Sequence, residues 1–163
     1  MKKAIIYEKY HANDFDAYYN VVKSDKVMRF ITGKGLSEAA ARAKFEHFLT
    51  VNRTDPNLGY FKVIDKQTNE CIGESKLVVY EKDPSVLEVG YLLKETFWGK
   101  GYGTLICEAM LSLAASIDPT RPVIGIIDPA NTASRRLLAK FGFVSFFTGE
   151  EDGLPTEKLI RRL

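Results

Sequence analysis

The sequence predicts a mixed α/β fold of the α+β type, with about seven strands and about four helices in one domain spanning residues 1–163. Runs rich in β-branched and aromatic residues alternate with stretches that have helical apolar spacing, which predicts both kinds of element. A glycine-rich turn leads directly into a long apolar helix pattern. The length of 163 residues is sufficient to bury one core but leaves no room for a second domain.

The elements follow from these patterns in chain order. A strand is predicted where β-branched and aromatic residues dominate, and a helix where a capping residue precedes apolar residues at helical spacing. Gly90 weakens the fourth strand and indicates a bulge. The predicted elements are a strand at 3–9, helices at 13–23 and 38–49, strands at 60–65, 71–80 and 87–93, a helix from the glycine turn to 117, a strand at 123–127, a helix at 132–141, and a final hairpin of 143–148 and 154–163.

Composition and charge exclude several classes of function. Basic residues number 23 and acidic residues 21, and they are interspersed, which argues against a nucleic-acid-binding face. The apolar runs are too short to span a membrane, and the first residues do not form a secretory signal, so we expect a cytoplasmic protein. Cys71 and Cys107 have no metal-site or disulfide spacing, and His11 and His47 are isolated from such clusters, so no metal is expected.

The main chemical signal is the turn Trp98-Gly99-Lys100-Gly101-Tyr102-Gly103-Thr104. Three glycines before a helix allow the backbone to approach a ligand, and the free N–H groups of the first helical turn favour phosphate oxygens. The glycine spacing does not fit the dinucleotide-binding fingerprint. Gly99-Lys100 is followed by Gly101, whereas a nucleotide P-loop needs serine or threonine there. The turn therefore predicts a diphosphate site of another kind.

These residues resemble the GNAT superfamily of N-acetyltransferases, and especially its ribosomal-protein N-terminal acetyltransferase (RimJ/RimL-like) branch. The family's acetyl-CoA motif matches Gly101 and Gly103, while Trp98 occupies the position of a glutamine or arginine. That tryptophan is common in the RimJ/RimL-like branch. The resemblance rests on three segments, residues 87–93, residues 97–104 and the stretch from Asn131 to Phe143, and the element order agrees over nearly the whole chain.

The resemblance implies a central twisted, mostly antiparallel sheet of about seven strands, with strands four and five splayed around acetyl-CoA. Backbone groups of the fourth strand would pair with the pantetheine arm, and N–H groups of the turn would hold the pyrophosphate. Lys100 would add positive charge there. The cofactor-binding residues that it implies are Tyr91, Leu92, Leu93, Trp98, Gly99, Lys100, Gly101, Tyr102, Gly103, Thr104, Asn131 and Ser134.

The resemblance further implies direct attack of a substrate amine on the thioester, within a ternary complex. An amine with a pKa of about 10 is mostly protonated at neutral pH, so a base must accept a proton. Glu88 on the fourth strand is our first candidate, with Glu74 and the acidic turn Glu150-Glu151-Asp152 as alternatives. Leu138 stands where many relatives have a tyrosine acid, so Ser134 becomes the candidate donor to the thiolate.

The sequence leaves the amine acceptor open. The branch resemblance favours a protein N-terminus, whereas other relatives acetylate polyamines, antibiotics or amino acids. Residues 10–58 and the last hairpin, which would decide between these acceptors, contain no diagnostic motif. A non-catalytic acyl-CoA-binding domain and a nucleotide-binding module are the competing functions, and a homodimer is expected by family analogy.

Overall fold

The computed structural model describes residues 2–162, in which seven strands and five α-helices are present. Short 3-10 turns at Ala12–Asp14 and Glu95–Phe97 precede the first helix and the glycine turn. The strands are β1 (Ile5–Lys9), β2 (Gly59–Asp65), β3 (Cys71–Val79), β4 (Leu87–Leu93), β5 (Val123–Ile127), β6 (Val144–Glu151) and β7 (Leu154–Arg161). The helices are α1 (Phe15–Val22), α2 (Asp25–Met28), α3 (Glu38–Thr54), α4 (Tyr102–Ile117) and α5 (Thr132–Lys140).

The seven strands form one sheet in the order β1-β2-β3-β4-β5-β7-β6. Neighbouring strands are antiparallel except β4 and β5, which run parallel and are connected through α4. A parallel pair needs such a crossover because the chain must return to the same end of the sheet. The mixed, mostly antiparallel sheet of seven strands confirms the predicted fold class.

Each face of the sheet carries a hydrophobic core. On one face α4 packs on β4, where Leu87, Val89 and Leu93 are buried. On the other face α1 and α3 form an aromatic core around Tyr18 and Phe45. Side chains alternate between the faces of a strand, so β4 contributes its odd-numbered side chains to the first core and its even-numbered ones to the second face.

The helices differ from the prediction in number and bounds. The helix predicted at 13–23 begins as a 3-10 turn and becomes α-helical at Phe15, and α3 continues to Thr54 instead of ending at residue 49. The additional helix α2 has four residues, which is too short to show a periodic pattern. Its N-cap is Ser24, whose hydroxyl accepts the Val27 N–H at 3.3 Å. Among residues 2–162, no helix has the length and apolar character needed to cross a bilayer.

The prediction of a bulge at Gly90 was wrong. Pairing between β3 and β4 is continuous from Gly73–Leu93 to Val79–Leu87. Gly90 instead leaves room for its cross-strand neighbour, because a Cβ there would lie 2.9 Å from Cε of Lys76.

The final hairpin has a tighter turn than predicted. Strand β6 continues to Glu151, so the turn consists of Asp152 and Gly153, with φ angles of +54° and +76°. Two successive residues with positive φ are typical of a two-residue turn whose twist matches that of the strands.

Candidate active site

The parallel strands β4 and β5 separate along their length. Their pairing covers Leu87–Val89 and Val123–Gly125 and then stops, although β4 remains paired with β3 as far as Leu93. From Gly90 onward one edge of β4 therefore faces a gap. The N–H and C=O groups at such an edge can pair with an extended ligand, as an added strand would. Tyr91 and Leu92, two of the three predicted pantetheine-binding residues, line this gap.

The glycine turn lies between the end of β4 and the start of α4. Gly99 and Gly101 have φ angles of +70° and +87°, in the left-handed region that favours glycine. Gly103 is favoured for a different reason, because a Cβ there would lie 3.3 Å from the Tyr91 hydroxyl and from Leu137, which is a tight contact. Backbone conformation thus accounts for two of the glycines and close packing for the third.

The N-terminus of α4 has no side-chain cap. Its N-cap is Gly101, and the first helical bond at this end joins the Leu105 N–H to the Gly101 carbonyl at 3.3 Å. The N–H groups of Tyr102, Gly103 and Thr104 precede that bond and point out of the helix end. A 16-residue helix adds its dipole, so this end favours an anion. The turn therefore fits the diphosphate predicted from the sequence.

Three side-chain contacts fix the turn in place. The Trp98 indole N–H donates to the Leu93 carbonyl at 2.9 Å, and the Lys3 ammonium donates to the Lys100 carbonyl at 2.7 Å. The buried Tyr102 hydroxyl donates to Asp65 at the end of β2. That hydrogen bond lowers the pKa of Asp65 and raises the pKa of Tyr102. The first turn of α4 is thus anchored to β2, and Trp98 connects the glycine turn to β4.

On the opposite side of the gap, α5 starts at the predicted cap. The Asn131 side-chain oxygen accepts the Ser134 N–H at 3.2 Å, which confirms Asn131 as the helix cap. Ser134 lines the cavity next to Tyr91. Burial raises the pKa of Tyr91, and the adjacent Ser134 hydroxyl opposes that rise. Leu138 is 5% exposed and packs over Gly125, where a Cβ would lie 2.8 Å from its Cδ1, so an apolar residue fills the position of the missing tyrosine.

A cavity of about 410 Å³ passes through the gap. One half is lined by β5 and α5, including Ile126, Asn131 and Ser134. The other half is lined by α1, α2, α3, β2 and β3. The three helices fall within residues 10–58, the region expected from the sequence to choose the acceptor, whereas β2 and β3 lie outside it. The last hairpin, which was expected to contribute as well, does not line the cavity within residues 143–162. His47 belongs to this half, as do Tyr18 and Phe48, whose apolar character alone could not distinguish a cavity wall from a core.

Glu74 lies in the wall of the acceptor half. It is 8% exposed, and its Oε1 has no hydrogen-bond partner within residues 2–162. In the register of β3 and β4 it is opposite Leu92, beyond the point where β4 leaves β5. Burial raises the pKa of Glu74 to about 7, although the hydroxyl of Tyr10 and the charge of Lys76 act in the other direction. A carboxyl group with this pKa can accept a proton near neutral pH.

Glu88 is on the same face of the sheet but in a different environment. It lies within the stretch where β4 and β5 are still paired, outside the cavity wall. Its Oε2 is 2.6 Å from the Lys76 ammonium. Burial would lower the pKa of Lys76, but the charge and hydrogen bond of Glu88 outweigh it and raise that pKa. Glu88 therefore keeps a charged lysine beside Glu74.

The acidic turn lies apart from the cavity wall. Glu151 accepts both Lys158 at 2.5 Å and Lys82 at 2.9 Å, and the Lys158 hydrogen bond is the main cause of its lowered pKa. These ion pairs reduce the negative charge that the turn offers to a cationic substrate.

Both cysteines are free, and burial raises the pKa of the Cys107 thiol to about 11. Within residues 2–162 no group of three or more histidine, cysteine, aspartate or glutamate residues is placed to hold a metal ion.

Comparisons with known proteins agree with this geometry. A family model described as an acetyltransferase (GNAT) domain matches residues 5–144. The uncharacterized N-acetyltransferase YnaD of Bacillus subtilis (strain 168) is 24% identical over 140 residues, covering 86% of this chain and 79% of YnaD. The uncharacterized protein YkkB of the same organism is 32% identical over 79 residues. That alignment covers 48% of this chain and about half (46%) of YkkB.

Solved structures share the fold at low identity. A GNAT-family acetyltransferase of Bacillus anthracis has a TM-score of 0.77 at 19% identity, covering 98% of this chain and 94% of its own. RimL, a ribosomal L7/L12 alpha-N-protein acetyltransferase in complex with coenzyme A, has a TM-score of 0.80 at 15% identity. The match covers 98% of this chain and 94% of RimL. The aminoglycoside acetyltransferase AAC(6')-Ib, also in complex with coenzyme A, has a TM-score of 0.78 at 18% identity, and the match covers 98% of this chain and 95% of that one.

The splayed parallel strands with a cavity between them, and the glycine turn before α4, occur in a fold shared with solved acetyltransferase structures. Because the family model covers most of the sequence, the chain belongs to the GNAT family of acetyl-CoA-dependent acyltransferases.

Proposed function

We propose that the protein transfers an acetyl group from acetyl-CoA to a primary amine by direct attack in a ternary complex. The observation that carries this proposal is the continuity of one cavity through the β4–β5 gap, lined by Ser134 on one side and by the buried Glu74 carboxyl group on the other. The helix α4, whose N-terminus favours an anion, contributes Ile106 and Cys107 to the same cavity. This arrangement suits a cofactor and an acceptor that approach from opposite sides. Proximity of two bound reactants is itself a large part of catalysis.

Acetyl-CoA would supply the activated thioester, and the backbone would hold most of it. The gap-facing edge at Tyr91 to Leu93 suits the pantetheine arm, whose amides can pair as a strand does. The N–H groups from Gly99 to Thr104 suit the pyrophosphate. Lys100, which is exposed at the turn, would add positive charge there. A backbone site of this kind is compatible with Trp98 in the motif, because the indole N–H donates to the Leu93 carbonyl and so holds the glycine turn against β4.

We propose Glu74 as the group that accepts the amine proton. Glu74 lines the cavity beyond the splay point, whereas the Glu88 carboxylate is held by Lys76 inside the paired part of the sheet. Glu88 then becomes a positioning residue, which keeps Lys76 charged and so favours the ionised form of Glu74.

Ser134 is the proposed donor to the departing thiolate, because it lines the cofactor half of the cavity and Leu138 has no polar group. We expect Ser134→Ala to lower kcat by about 10-fold or more, with little change in the KM for acetyl-CoA. Ser112→Ala, at an exposed position on α4, is the matched control and should leave kcat unchanged. Full turnover in Ser134→Ala, measured by thiol release, would remove Ser134 from the reaction.

For the acceptor, the resemblance to the RimJ/RimL-like branch and the similarity to the RimL structure support a protein N-terminus. The similarity to an aminoglycoside acetyltransferase structure supports a small-molecule amine instead. Both structures are under 20% identical to this chain, so they do not rank the two acceptors. The expected cytoplasmic location and homodimer stay predictions.

Thermal unfolding with added ligands tests the binding half of the proposal. We expect acetyl-CoA and CoA at 100 times their Kd to stabilise the folded state by about 2.7 kcal/mol, and ATP at the same concentration to do much less. Stabilisation by ATP with no response to CoA would point to a nucleotide-binding module. A non-catalytic acyl-CoA-binding domain would show the predicted stabilisation but no amine-dependent thiol release.

A further inference from the structure

The acceptor half of the cavity, on the side of Glu74, differs in chemical composition from the cofactor half. Its walls are mostly apolar and aromatic, and they come from elements that precede the glycine turn in the chain. Resting on the proposed function, we infer that the acceptor is a monoamine whose nitrogen is carried by an aromatic or branched aliphatic group, and that it has no second cationic group.

The walls favour an apolar body next to the amine. Tyr18 and Met28 are nearly fully buried beneath the cavity, at 1% and 2% exposed. The rings of Phe48 and Tyr60 stack at 3.7 Å between centroids with an interplanar angle of 8°, which presents a flat aromatic wall. Ile31 is 44% exposed although it contributes to the cavity wall, so it offers apolar surface at the opening. A hydrophobic group bound here removes apolar area from water on both partners.

The charges of this half disfavour a polycation. Glu74 is its one carboxyl group within the described chain, while Lys44, His47 and Lys76 also line it. The other carboxyl group in the cavity wall, Asp128, lies at the end of β5 in the cofactor half and accepts the Ala130 N–H at 2.8 Å. One buried carboxyl group can receive one amine, and a second ammonium group would meet lysine ammonium groups instead of a carboxylate.

This chemistry has two sources, a free hydrophobic amine and a peptide whose first residue is apolar. Thiol release from acetyl-CoA by phenethylamine, 3-methylbutylamine and a phenylalanine-initiated peptide should therefore be compared with release by spermidine, kanamycin and an aspartate-initiated peptide. We expect the apolar monoamines or the phenylalanine peptide to exceed the polycations in kcat/KM by about 10-fold or more, the worth of burying one side chain. The better of the two apolar classes identifies the source.

Ile31→Asp tests whether the opening sets this preference. It should raise the KM for the preferred apolar amine by roughly 10-fold and improve spermidine relative to it, without changing the KM for acetyl-CoA. Val144→Asp, a substitution at a 66% exposed position on β6, is the matched control and should change neither.

Two results would overturn the inference without contradicting acetyltransferase activity. One is a higher kcat/KM for spermidine or kanamycin than for every apolar amine. The other is an Ile31→Asp variant in which the ratio of kcat/KM for the apolar amine to that for spermidine is unchanged. Absence of thiol release with every amine is a different result, which would contradict the proposed function itself.

Discussion

Replacing Glu74 with glutamine is expected to lower kcat by about 10²–10³-fold, because the amide cannot accept the proton of the substrate amine. Glutamine has nearly the shape of glutamate, so the buried site should keep its packing. The KM for acetyl-CoA should change little, since Glu74 lies in the acceptor half of the cavity. Steady-state thiol release, with each substrate varied in turn, measures kcat, the KM for acetyl-CoA and the KM for the amine.

The pH dependence gives this prediction a definite sign. Burial raises the pKa of Glu74 to about 7, and the ionised form is the base. In the wild type kcat/KM should therefore rise as the pH increases through about 7. In Glu74→Gln this rise of kcat/KM with pH should be absent.

Glu88→Gln is the matched control for Glu74→Gln. It removes the partner of Lys76, and burial then lowers the pKa of Lys76. A less charged Lys76 stabilises the Glu74 carboxylate less. The midpoint of the rise of kcat/KM with pH should therefore move to higher pH, while turnover persists. Loss of turnover in Glu88→Gln with normal turnover in Glu74→Gln would instead make Glu88 the base.

Gly101→Ala is expected to raise the KM for acetyl-CoA by about 10-fold or more, because Gly101 combines positive φ with the N-cap of α4. An alanine at a φ of +87° costs roughly 1–2 kcal/mol, and relief of that strain would rotate the N–H groups away from the pyrophosphate. The effect should fall on cofactor affinity because no atom within 4 Å obstructs the added Cβ. Calorimetric titration with CoA measures that affinity directly.

Gly153→Ala provides the comparison, since Gly153 also has positive φ, at +76°, and open space around its Cα. It lies in the β6–β7 turn, outside the cavity wall, so the substitution should lower stability without changing CoA affinity. Equal affinity losses in the two variants would show that strain, and not the position of the N–H groups, weakens binding.

The sequence predicted the second half of the chain closely. Strands β4 and β5 have the predicted bounds, and α5 starts at the predicted cap Asn131. These elements have strong local signals, because glycine, proline and capping residues mark their ends. The short α2 packs Val27 and Met28 into the aromatic core, and local spacing does not show such contacts. In the extension of α3 to Thr54, the Asn52 side chain is hydrogen-bonded to the backbone of Tyr10 and Tyr60, which are distant in sequence.

The proposed cofactor-binding residues also have a stronger sequence signal than the proposed acceptor-binding residues. A glycine turn holds its ligand with backbone groups, so its residues are contiguous and form a motif. The acceptor half brings together Tyr18, Met28, Phe48 and Glu74, from four different elements. The elevated pKa of Glu74 arises from burial, which depends on helices distant in sequence, and this is why Glu88 ranked first on sequence alone.

The most direct test of the central claim is the stoichiometry of acetyl transfer with purified protein. Acetyl-CoA and an apolar amine or phenylalanine-initiated peptide are incubated, CoA release is followed by a thiol reagent, and the product is identified by mass. We predict that one acetylated amine forms for each CoA released, that the protein itself remains unacetylated, and that Glu74→Gln abolishes most of the signal. CoA binding without amine-dependent release would contradict the account.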